Sequence, residues 1–168
     1  MLTVVGFWLI RITIWLAVAA WLGRVFVEAS RREFASRNQL IRWMWLIGAV
    51  AGLAHTVAAM GVGHCWSLAN AMRHTALMTR QVVGVELPYS VFVNFAFVAY
   101  WLVDAIREFR NQQARSLGLA RHVIWLVMMV NGTVVFGPSY WRWMAIPCVV
   151  AWLLCIISRN LHLSHPKR

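Results

Sequence analysis

Two histidines bracket the stretch Gly63-His-Cys-Trp-Ser-Leu-Ala-Asn-Ala-Met-Arg-His74, with a cysteine beside the first. Imidazole and thiolate are ligands for late first-row metals, and the thioethers of Met60, Met72 and Met78 nearby add soft donors that suit copper. His64, Cys65, His74 and Met78 are therefore candidate metal ligands. The spacing matches no established metal motif. On one straight helix the two histidines would point about 80° apart and sit about 15 Å apart along the axis, so joint ligation would need a bend or another segment. The competing reading is an ordinary amphipathic surface helix, with Leu68, Met72, Ala76 and Val83 on one side and Asn70, Arg73, His74 and Gln81 on the other.

A second set of polar residues lies within long apolar runs. Arg11, His55, Asn94 and Asn131 each fall in a different run, and Thr13, Thr56 and Thr133 lie close by. At the usual helical rise all four reach a depth of roughly 8–14 Å below one surface. Polar side chains in lipid are costly and normally face the bundle interior, where they pair. Arg11 has no carboxylate at its own level, so a haem propionate would suit it, with His55 as an axial ligand. A quinone head group bonded by His55 and Asn94 would fit the same layer. His55 is the only mid-span histidine, so haem would need His64 or His74 folding back as a second ligand, or single ligation. The bland alternative is a hydrogen-bonded network that joins helices without a cofactor.

The elements that must position these residues follow from composition. Hydrophobic residues make up 61% of the 168 and charged residues 12%, with a mean hydropathy of +0.65. A soluble domain carries about twice that share of charge. A bilayer core takes about 20 mainly apolar helical residues. Five runs meet this need: 2–22, 40–62, 88–106, 119–136 and 139–158, the last two joined by a turn at Gly137-Pro138. The segment 64–83 reads as an interfacial helix ended by Gly84 and Pro88. Ala17-Val18-Ala19 could serve as a signal-peptide cleavage site, but a basic leader is missing and Arg11 interrupts the apolar core, so a retained helix is expected.

The net charge of +11 does not point to nucleic acid, because the basic residues fall between the apolar runs. Arg24, Arg31, Arg32, Arg37 and Arg42 follow the first run; Arg107, Arg110, Arg115 and Arg121 follow the third; Arg159, Lys167 and Arg168 form the tail. With five spans these three segments share one side, which places the amino end outside and the carboxyl end in the cytoplasm. Glu28 with Arg32 and Glu33 with Arg37 would support a charged extension of the first helix. Trp21, Trp43, Trp45 and Trp125 near one boundary, and Trp66, Trp141 and Trp143 near the other, read as aromatic belts. Cys148 and Cys155 sit in an apolar run as small hydrophobes, and three scattered cysteines make no disulfide framework. Pro147 should bend the fifth helix.

The residues His55, His64-Cys65-Trp66-Ser67, His74-Thr75, Val93-Asn94, Trp101 and Asp104 together resemble uncharacterised small polytopic membrane proteins of planctomycetes. The likeness covers about a third of the chain. Its pattern is richer in histidine, and Cys65 and Leu68 stand here where two of those histidines would be. It implies a histidine-bearing outer segment as a group feature, and no activity.

The expectation is an all-α integral membrane bundle of five transmembrane helices in a bacterial inner membrane, with one extracytoplasmic interfacial helix. The functional expectation is a cofactor-binding subunit, with haem b or copper, serving electron transfer or a larger complex. Its partners would be the lipid bilayer, other membrane subunits or a second copy. The alternatives are a structural or assembly protein without cofactor and a small transporter. Against transport stand the lack of internal repeats and of paired intramembrane acids. No Walker loop, Ser-His-Asp arrangement or paired carboxylates point to an enzyme.

Overall fold

The computed structural model describes residues 4–29, 36–111, 124–128, 131 and 150. These residues are overwhelmingly helical and include no strand. The order is α1 (Val4–Ala29), α2 (Arg37–Ala58), a π-helical turn (Ala59–Gly63), α3 (Leu68–Val83) and α4 (Ser90–Arg110). Residues 124–128 are also helical. Most of the fourth expected span, all but residue 150 of the fifth, and the tail lie outside the described residues.

Three segments are long and apolar enough to cross a membrane: Val4–Glu28, Arg37–Gly63 and Ser90–Arg110. Their outward faces carry large apolar side chains, among them Trp8, Leu16, Val50, Val57 and Val103. A continuous exposed apolar surface of this extent needs lipid to cover it. Among the described residues the protein is all-helical, with three helices suited to crossing a membrane.

The middle position belongs to α2, which packs on α1 and on α4. Small residues set the closeness of that packing. Gly48 and Gly52 are four apart on α2, and both face the Trp101 ring of α4; a Cβ at Gly48 would lie 2.6 Å from Trp101 and 3.3 Å from Ala20 of α1. Small residues four apart let helix backbones approach where no hydrophobic effect drives association.

The core is aromatic. Trp21, Trp45, Trp101 and Trp125 are all at most 3% exposed. Trp101 and Trp125 meet edge to face at 4.0 Å, Trp21 stacks on Trp125 at 5.9 Å, and Trp45 touches both Trp101 and Trp125. This corrects the belt reading for Trp21, Trp45 and Trp125, which point into the bundle. Trp43, 45% exposed, meets the Phe109 ring edge-on instead of joining this cluster.

Beside this cluster lies a buried ion network. The Arg24 guanidinium donates to Glu28 at 2.8 Å and to Glu108 of α4 at 3.0 Å, and it lies 4.2 Å over the Trp45 ring. The Trp45 indole donates to Asp104 at 2.9 Å. Arg24 is thus a bundle residue rather than a loop charge. The first helix does extend as expected, but Glu28 pairs backward with Arg24, and Arg37 donates to the carbonyls of Val27 and Glu28. Arg32 and Glu33 lie outside the described residues.

Candidate functional site

At the other end of the bundle α2 does not stop cleanly. Its last turn widens into the π-helical turn, and the chain then reverses through Cys65 and Trp66, at φ of 50° and 57°. L-residues in the left-handed region cost on the order of 1–2 kcal/mol each, so the surroundings must hold them there. The Trp66 indole lies against Gly61, where a Cβ would come within 3.1 Å of the ring, and the Trp66 backbone N–H donates to the Met60 carbonyl. Ser67 then caps α3, its hydroxyl accepting the Asn70 N–H at 3.3 Å. Gly84 ends α3 at φ 78°, the left-handed cap that favours glycine.

The helix expected over 64–83 therefore begins only at Leu68, and the difference matters. The reversal supplies the bend that a straight helix lacks, and it brings the His64 and His74 rings to 5.3 Å between centroids. Asn70 holds the turn from inside, its side-chain amide donating to the His64 carbonyl at 3.4 Å. Burial, and then the charge of His74, push the His64 pKa below its ordinary 6.5.

Both histidines border a half-open cavity of about 610 Å³ between α1, α2, α3 and α4. Its lining combines polar side chains, among them His55, His64, Asn70, Arg73, His74 and Asn94, with apolar ones such as Ile14, Ala17, Phe97, Val98, Trp101 and Met128. Cofactor pockets fall in this size range and share this makeup. His55 is fixed by α1: its Nδ1 lies 2.9 Å from the Ile10 carbonyl oxygen. A carbonyl only accepts, so Nδ1 carries the proton, and in the neutral ring Nε2 keeps its lone pair. Metal-ligating histidines are held the same way.

Of the residues picked out by type and spacing, His55, His64, His74 and Asn94 share this cavity. Asn131 stands behind Asn94 and donates to its Oδ1 at 3.3 Å. Arg11 is not on the lining; its guanidinium lies 4.1 Å over the Phe7 ring. Cys65 is an exposed free thiol in the turn, and Met78 lies on α3 away from the lining. Among the described residues no three His, Cys, Asp or Glu side chains gather to hold one ion. Met60, named above as a soft donor, also lines the cavity, as do Asn70 and Arg73, which the sequence reading placed only on the polar side of a surface helix. Arg73 precedes His74 on the amphipathic helix, and that adjacency was the available signal.

Comparison with family models, with curated proteins and with solved structures yields no match. Fold and cavity define the class, a helical membrane protein with a histidine-lined pocket at one end of its bundle, and the functional reading rests on that geometry.

Proposed function

We propose that the chain is a cofactor-binding subunit of a bacterial inner membrane, with five spans, the amino end outside, and haem b held in the cavity for electron transfer. The observation that carries this reading is His55: its Nδ1–H is tied to the Ile10 carbonyl and its Nε2 is available at the edge of a cofactor-sized, mainly apolar cavity. An apolar macrocycle suits the Ile14, Val98 and Trp101 side of the cavity, and Arg73 on the lining suits a propionate. Arg73 thus takes the place that the sequence suggested for Arg11.

Purified protein, expressed with a haem supply and held in mild detergent, should show a Soret band that shifts on dithionite reduction. His55→Leu should abolish that band while retaining helix content. A featureless spectrum in the parent protein removes the haem reading. The structural reading, without cofactor, is favoured by the fact that His55 and Asn94 each already have a hydrogen bond inside the bundle. Under it His55→Leu changes stability alone.

A further inference from the structure

We propose a second, separate site: a late first-row divalent metal ion, of the zinc(II) and copper(II) kind, bridging His64 and His74 on the lining of the cavity. The separation of the rings discriminates between kinds of ligation. With metal–nitrogen bonds of about 2.0–2.1 Å, and a nitrogen about 1.1 Å from its ring centroid, two imidazoles on one tetrahedral ion have centroids about 5.2 Å apart. Two imidazoles on opposite faces of one haem iron need about 6.3 Å by the same arithmetic. The rings stand at 5.3 Å, with their planes inclined at 47°. That separation suits a shared tetrahedral ion and is too short for a haem sandwich, so the pair does not compete with His55.

The backbone supports the same reading. Two consecutive left-handed L-residues, Cys65 and Trp66, make the reversal that brings His64 onto the first turns of α3. Strain of this kind gathers at ligand clamps. The ring pair comes from a turn and a helix that the Asn70 amide and the Ser67 cap lock together, so its spacing is set before any ligand arrives. Two protein ligands leave two tetrahedral positions for water or a small ligand from the cavity.

The test is a competition titration of the full chain in detergent with Zn²⁺ against a chromophoric chelator, with Mg²⁺ as a hard-ion control. One equivalent of Zn²⁺ should bind. His64→Gln and His74→Gln should each weaken it by roughly tenfold or more, with helix content and gel-filtration behaviour preserved. His64→Cys should restore the binding that His64→Gln loses, because a thiolate ligates zinc as well as imidazole does. His55→Leu should leave the zinc titration intact while removing any haem band, so each site can fail without the other. The inference is overturned if zinc binds no better than magnesium, or if it binds the double His64→Gln/His74→Gln variant as it binds the parent. Loss in Cys65→Ser with retention in His74→Gln would also overturn it, by moving the site to the thiol.

Discussion

Replacing Gly48 with alanine tests the close approach on which the cavity lining depends. The new methyl would lie 2.6 Å from Cζ2 and 3.0 Å from Cη2 of Trp101, and 3.3 Å from the Ala20 Cβ. The indole cannot retreat easily, because Trp45, Trp125 and Phe97 surround it. Overpacking of a tight core costs about 1–3 kcal/mol, against about 0.5–1 kcal/mol recovered by replacing a helical glycine. The net expectation is a loss of about 1–2 kcal/mol. Gly52→Ala meets the same ring at 3.2 Å, asks it to yield only a few tenths of an ångström, and should cost less than Gly48→Ala. Gly23→Ala meets only the end of the flexible Met44 side chain at 3.2 Å, and should be neutral or stabilising. Reversible unfolding in mixed micelles ranks the three variants. Trp101 also lines the cavity, so Gly48→Ala should weaken whatever binds there while Gly23→Ala does not. If Gly48→Ala proves as stable as Gly23→Ala, α2 and α4 do not pack through Trp101 as described.

Arg24→Ala would leave Glu108 and Glu28 without their buried cation and should cost about 3–5 kcal/mol by the same unfolding assay; a double Arg24→Met/Glu108→Leu variant should cost less than the single one, and equal or greater cost would remove the pair as the reason. His64 takes up a proton less readily in the folded chain than in the unfolded one, because of burial and then His74. Its contribution is therefore complete above pH 6.5 and falls as the pH drops below 6.5 toward the folded pKa. His64→Gln should flatten that slope, and an unchanged slope assigns it elsewhere. A membrane-impermeant maleimide should label the exposed Cys65 in intact spheroplasts, and labelling only after permeabilisation would invert the proposed orientation.

The three spans were legible because apolar length has one cheap explanation, and His55 and Asn94 were legible because polar atoms in lipid must find partners. The pairing of His64 with His74 was not. It depends on a π-helical turn and on two left-handed residues that are neither glycine nor asparagine, and nothing local in Cys65-Trp66 favours that backbone. The glycine against which Trp66 packs is visible in the sequence, but its partner is known only once the chain has turned. Tryptophans show the same limit from the other side. Position along a span is identical for a ring at the lipid boundary and a ring in the core, and rotation about the helix axis decides between them. That rotation was readable on α2, where Gly48 and Gly52 mark the face pressed against a neighbour. Trp45, three residues before Gly48, belongs to that face and is buried, whereas Trp43, five before it, is exposed. Arg24 follows from the same rotation. Near a span boundary it counts as a cytoplasmic charge, yet it faces Trp45 and Glu108 inside the bundle. It therefore contributes packing to the fold and should be dropped from the charge balance on which the proposed orientation rests, leaving the other arginines of that segment in it.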